Sequence, residues 1–134
     1  MRVCCNWFFF SRDLDQDALE SINREIEMLD IANGHPNIVR LLDVFIDTHY
    51  IFLVMERLTG PTLFELMKSD DKRLKDEMLT KWMGQVSDAL ATVHLQLQSV
   101  HRDINPRNIM FTDESLSDLK VIDFGSTSAC TTAH

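Results

Sequence analysis

No lysine occurs before Lys68 and no glycine before Gly34. The opening part of the chain therefore has no glycine-rich loop to cradle phosphate and no ammonium to reach one. Cysteine is scarce as well: Cys4, Cys5 and Cys130 are the three present, two of them adjacent and none in a C-x-x-C spacing. This excludes a disulfide frame or a cysteine zinc site and fits a reducing, cytoplasmic setting. Positive charge is in deficit, with 13 Lys plus Arg against 21 Asp plus Glu and a net charge of -8. Such a chain offers no basic face to nucleic acid or to an anionic membrane, so any phosphate it handles must be held locally. No stretch approaches the roughly 18 apolar residues of a membrane span. The start, M-R-V-C-C-N-W-F-F-F, is a short apolar run broken by Asn6 and followed at once by Ser11-Arg12-Asp13. It lacks the small-residue cleavage site of a signal peptide. The remaining readings are a buried strand or a misplaced N-terminal boundary.

What is present is enough for a core, since 45% of the residues are hydrophobic. Leu19, Ile22, Ile26 and Leu29 recur at steps of three and four, which predicts a helix over residues 15–33. Asp13, Asp15 and Asp17 suit its N-terminus, and Gly34 followed by Pro36 ends it. Residues 38–45 and 50–55 read as two strands of an antiparallel hairpin around the turn Asp47-Thr48-His49. Gly60-Pro61 breaks the chain ahead of a short helix over residues 62–68. A longer helix spans residues 77–97, with Leu79, Trp82, Met83, Val86, Leu90, Val93 and Leu97 on a broad apolar face suited to an all-helical layer. Gly84 within it implies a close packing contact. Residues 109–111 and 119–122 form a last small hairpin. The class is α+β, in two parts joined near residues 56–60.

Asp103, Asn108 and Asp123 are the group to weigh for chemistry. Each taken alone is an ordinary turn residue. Together they stand in S-V-H-R-D-I-N-P-R-N-I-M-F, followed by V-I-D-F-G. Phosphoryl transfer needs a carboxylate to orient the attacking hydroxyl and take its proton. It also needs a carboxylate and an amide oxygen to hold Mg²⁺, which prefers hard oxygen ligands. A hairpin places Asn108 and Asp123 side by side, and Gly125 lets the backbone turn after them.

These two segments resemble the catalytic loop and D-F-G segment of eukaryotic protein kinases. Arg24-Glu25-Ile26 followed by H-P-N-I-V at residues 35–39 resembles the helix of the N-lobe and its exit into the next strand. Leu53-Val54-Met55-Glu56 resembles the strand that runs into the hinge. Four matches in order cover residues 24–125. The resemblance implies a partial protein-kinase-like fold, with an atypical segment over residues 1–14, a partial N-lobe over 15–57 and a partial C-lobe over 58–134, truncated in the activation segment. It implies Asp103 as catalytic base, Asn108 and Asp123 as Mg²⁺ ligands, and Glu25 as the glutamate that pairs with a lysine. It also implies Met55 as gatekeeper, hinge backbone groups from Glu56 and Leu58 against the adenine of ATP, and Met110 beneath the ring. Leu29, Leu41, His101 and Phe124 resemble the apolar stack that links the lobes.

The departures are as informative. The paired lysine and the glycine-rich loop are absent, unless residues 3–10 stand in for one strand. Arg2 and Arg12 are the only cations ahead of Arg24, and arginine is a poor substitute for a compact ammonium. Asn105 stands where most serine/threonine kinases have lysine, while Pro106 favours the serine/threonine side over the tyrosine side. Asn105 is also reminiscent of related small-molecule phosphotransferases, against which His101-Arg102 and the hinge motif argue. The expectation is a serine/threonine protein kinase domain that acts on a protein substrate, present as a fragment inactive alone. The alternatives are a non-catalytic, pseudokinase-like binding module with a protein partner, or a truncated remnant.

Overall fold

The computed structural model describes residues 5–11, 13, 15–72, 74–96, 98–124 and 128–129, with the backbone alone for 5–11 and 128–129. Arg12, Leu97 and Gly125 lie outside these residues. Helix α1 is Gln16–Ile31. Asp15 caps it by accepting the Ala18 N–H at 2.8 Å. Ile22 and Leu29 of the predicted stripe are buried, and Leu19 and Ile26 pack against them. The helix ends at the C-cap Ala32, two residues before Gly34. Gly34 instead supplies the left-handed backbone of the exit turn, at φ 92°.

Strands β1 (Cys5–Ser11), β2 (Leu41–Ile46) and β3 (Tyr50–Glu56) form an antiparallel sheet in the order β1-β3-β2. The hairpin β2–β3 is the predicted one, and Asp47 Oδ1 holds its turn by accepting the His49 and Tyr50 N–H groups. The apolar N-terminal run is a strand, with Cys5 opposite Glu56 and Ser11 opposite Tyr50. It pairs the edge of β3 that the hairpin would otherwise leave bare.

Residues 38–40 do not belong to β2, contrary to expectation. Ile38 forms a parallel bridge to Val121. Val39 N–H donates to the Val121 carbonyl, Val121 N–H to the Asn37 carbonyl, and the buried Asn37 amide to the Leu119 carbonyl at 3.0 Å. An apolar, β-branched stretch satisfies either partner, and composition does not say which one captures it.

Helix α2 (Leu63–Lys68) opens with a capping box between Thr62 and Glu65. Helix α3 (Asp76–Ala91) continues as a π-turn over Thr92–Gln96. Its described partner is a hairpin, not a helical layer: β5 (Ile109–Phe111) with β6 (Leu119–Val121). The Trp82 ring meets Phe111 edge-on at 4.8 Å, and its N–H donates to the Leu116 carbonyl. Gln85 accepts the Leu119 N–H and donates to Ser117 and Asp118. Gly84 is exposed with open space beside it, so it marks no close contact. Leu79 and Met83 are exposed as well, because the hairpin is too small to cover the broad face. Ser99–Val100 (β4) pairs with Ser128–Ala129 (β7) around the loop of residues 101–105.

Two apolar clusters result. One joins α1, β2 and β3 to Ala89, Val93, Val121 and Phe124; the other centres on Trp82, Phe111, Leu116 and Leu119. The segment between β3 and α2 is stitched to the second. Thr59 N–H donates to the Thr112 carbonyl and Phe111 N–H to the Pro61 carbonyl. Gly60 is pressed so close that a Cβ there would sit 2.5 Å from the Asp113 carbonyl oxygen, nearer than any real contact.

Candidate active site

The loop from His101 to Asn108 turns on Arg102, whose φ of 71° is rare for a residue with a side chain. One residue on one side, His101 is 2% exposed; one residue on the other, Asp103 is exposed. His101 Nδ1 accepts the Asp103 N–H at 3.2 Å, which puts the ring proton on Nε2. That nitrogen is buried, and the Asp123 backbone acts on it only weakly, outside ordinary hydrogen-bond geometry. The ring lies edge-on against Phe124 at 4.9 Å. Burial holds the His101 pKa below its ordinary value, partly opposed by the Asp123 backbone and the Asp123 and Asp103 carboxylates. The imidazole is thus a neutral structural group.

Asp103 is fixed on both oxygens. Asn105 Nδ2 donates to its Oδ1 at 2.9 Å and Asn108 Nδ2 to its Oδ2 at 3.1 Å. Asn108 Nδ2 also reaches the Asp103 carbonyl at 2.9 Å. Asn105 Oδ1 in turn caps the 3₁₀ turn Pro106–Asn108 by accepting the Arg107 N–H at 2.9 Å. One face of the loop is therefore an exposed carboxylate held by two amides.

Asn108 and Asp123 flank the β5–β6 ladder, where the Asn108 carbonyl accepts the Ile122 N–H at 3.0 Å. With the Asn108 nitrogen committed to Asp103, its Oδ1 is the atom that could face a hard cation. Among the described residues no three His, Cys, Asp or Glu side chains gather as a metal cage. Magnesium does not need one: one or two protein oxygens plus substrate phosphates and water satisfy it. The donor set Asn108 and Asp123 fits that pattern.

Glu25 is 9% exposed on α1. Its pKa is raised to about 6, first by burial and then by the Asp123 carboxylate, while the Phe124 backbone N–H opposes the shift. It thus faces the acidic end of the site. The strand that pairs with β3, C-N-W-F-F-F-S, contains no cation that could answer it. Leu29 and Phe124 share the first apolar cluster and Leu41 packs against it, so the expected stack is assembled in space.

Met55 and Leu58 are buried and Met110 is half-buried, bridged to Thr62. The Glu56 N–H donates to the Arg40 carbonyl at 2.9 Å. The Glu56 carboxylate accepts the Arg40 N–H and pairs with the Lys120 ammonium. Sequence reasoning missed that pair. The two residues are 64 positions apart, and only the register of β6 brings them together.

Residues 8–134 match the family profile described as "Protein kinase domain". The chain is 37% identical to CDPK-related kinase 1 of Arabidopsis thaliana over 109 residues, 81% of this chain and 19% of that protein. It is 36% identical to a putative ribosomal protein S6 kinase alpha-2 of Caenorhabditis elegans, over 87% of this chain and 15% of that protein. Among solved structures it is similar to the twitchin kinase region from C. elegans, with a TM-score of 0.82 and 30% identity, covering 93% of this chain and 22% of that one. It therefore spans about a fifth or less of the length of these proteins.

Proposed function

The chain belongs to the protein kinase domain family, and from that premise we propose that it is the central part of a serine/threonine kinase that moves the γ-phosphate of ATP to a protein hydroxyl. The observation that carries this reading is the Asp103 carboxylate, gripped by Asn105 and Asn108. A base so held orients an acceptor hydroxyl and removes its proton as the bond to phosphorus forms. Bound Mg²⁺ would neutralise the triphosphate, held by Asn108 and Asp123. Asn105 orients the base and supplies no charge. Pro106 supports the serine/threonine side. Met55, Leu58 and Met110 supply apolar contacts for the adenine, and a cytoplasmic setting agrees with the cysteine usage. The apolar stack of Leu29, Leu41, His101 and Phe124 couples residues 15–57 to residues 58–134 as two lobes.

By itself the 134-residue chain is expected to transfer no phosphate, because the strand beside β3 carries no cation and none among the described residues answers Glu25. Transfer from Mg·ATP to a serine- and threonine-containing peptide mixture should stay at the level of Asp103→Ala. Placing residues 16–124 in the corresponding span of the twitchin kinase region should restore transfer to serine or threonine that Asp103→Ala abolishes. Transfer by a folded chimera that ignores Asp103→Ala would sink the reading. A second reading, a binding module that acts through a protein partner, is favoured by the exposed Leu79, Met83 and Leu95. A purified chain that sediments as a stable monomer removes that support.

A further inference from the structure

Phe64 carries two cations. The Arg107 guanidinium lies 4.0 Å from the centre of its ring and Lys68 Nζ 4.6 Å from it. Phe64 and Lys68 sit one turn apart on α2. Arg107 comes from the 3₁₀ turn Pro106–Asn108, 43 residues further along the chain than Phe64. Neither cation meets a carboxylate among the described residues, where the one described ion pair is Lys120 with Glu56. In a chain of net charge -8, two unmatched cations on one ring run against the overall balance.

Their position matters more than their number. Asn105 donates to the Asp103 carboxylate and accepts the Arg107 N–H, both at 2.9 Å, so a single side chain ties the base to the backbone of Arg107. Four residues span at most about 14 Å, and residues of an extended peptide repeat every ~3.3 Å. The Cα of Arg107 therefore lies within about 14 Å of that of Asp103, a span that an extended peptide covers in about four residues.

We propose that Arg107 and Lys68, seated on Phe64, form a subsite for an anionic side chain, a carboxylate or a phosphate, in the protein substrate beside its acceptor hydroxyl. The proposal rests on the kinase reading above. Stacking on an aromatic ring prepositions the guanidinium, whose planar fork suits either anion. Prepositioning lowers the ordering cost of binding.

The test is fluorescence anisotropy on the whole 134-residue chain with four peptides around one serine, flanked by Glu, phosphoserine, Ala or Lys. The Glu or phosphoserine peptide should bind tightest and the Lys peptide weakest. Tight binding of phosphoserine alone identifies phosphate as the ligand; equal binding of both shows that a carboxylate suffices. Arg107→Glu with Lys68→Glu should reverse the order, with a change of about fivefold or more for each charged peptide. Arg107→Leu with Lys68→Met should flatten it. The same charge reversal at Lys81, exposed on α3, should leave it intact. Four peptides that bind alike, or none that binds, overturn the proposal, as does an equal effect of Lys81→Glu. Mg·ADP binding by the wild type and by Asp123→Ala is read in parallel. A preserved peptide order with nucleotide binding indifferent to Asp123 would remove the kinase reading and leave an anion site.

Discussion

Two carboxylates of the site show what partners do. Asp103 is exposed and takes a hydrogen bond on each oxygen. Glu25 is buried, faces a like charge at Asp123 and has a backbone N–H to oppose it. The first is a satisfied polar group on a rigid loop. The second is a charge whose neutral form is favoured, first by burial and then by the Asp123 carboxylate, and no cation among the described residues is set against it. The loop of residues 101–108 is therefore satisfied within itself, while the described contact between α1 and Asp123-Phe124 is apolar on one side and repulsive on the other.

The sharpest way to break the comparison is to remove the piece both regions share. Phe124 packs in the first apolar cluster, meets the His101 ring and offers its N–H to Glu25. Phe124→Ala should cost about 3–5 kcal/mol in chemical denaturation. Replacing the strained carboxylate should have the opposite sign. Glu25 binds its proton in the folded state at about 6, against 4.5 when unfolded. Its folded pKa is raised, so it detracts from stability above about 6 and relieves that cost as pH falls towards 4.5. Glu25→Gln should accordingly stabilise the chain at pH 7 by about 2 kcal/mol, read from urea midpoints. His101 works in the other direction. Its lowered folded pKa contributes stability above its ordinary value of 6.5 that is lost as the pH falls below it. The Glu25→Gln chain should therefore lose stability steadily in acid, where the wild type is flatter; parallel profiles for the two would contradict the assignment.

Lys120→Met tests a pair that is partly buried and should cost about 1 kcal/mol by leaving Glu56 without its cation. The smallest effect belongs to the satisfied loop. Asn105→Ala removes one of two donors to an exposed carboxylate and the cap of a short turn, for about 0.5–1 kcal/mol. A cost as large as that of Phe124→Ala would show that the loop is not self-sufficient.

Much of this was readable before any coordinates. The stripe of α1, the hairpin about Asp47 and the H-R-D to D-F-G order depend on local spacing, and spacing is written in the sequence. Ile38 was assigned to the wrong partner because its residue type suits β6 as well as β3. Gly84 was taken for a packing contact, and the space beside it is open. Asn37 to Leu119, Glu56 to Lys120 and Phe64 to Arg107 each join positions more than 40 residues apart. No periodicity announces such pairs, because register and strand order decide them. The Glu25 shift was half legible: the missing lysine is visible in the sequence, the nearness of Asp123 only in space.

Gly60 has a mechanical consequence. Thr59, Gly60 and Pro61 are bonded or pressed to the hairpin that carries Asn108 and Asp123, and Glu56 is held by Lys120 of the same hairpin. A swing of the three-stranded sheet against the helices has no long flexible tether to use. After β3 it is confined to the torsions of Arg57 and Leu58, and ahead of β2 to Arg40, because Asn37 and Val39 are themselves bonded to β6. A small rotation there leaves Asp103, Asn105 and Asn108 in register with one another, since the bonds that join them lie within one loop.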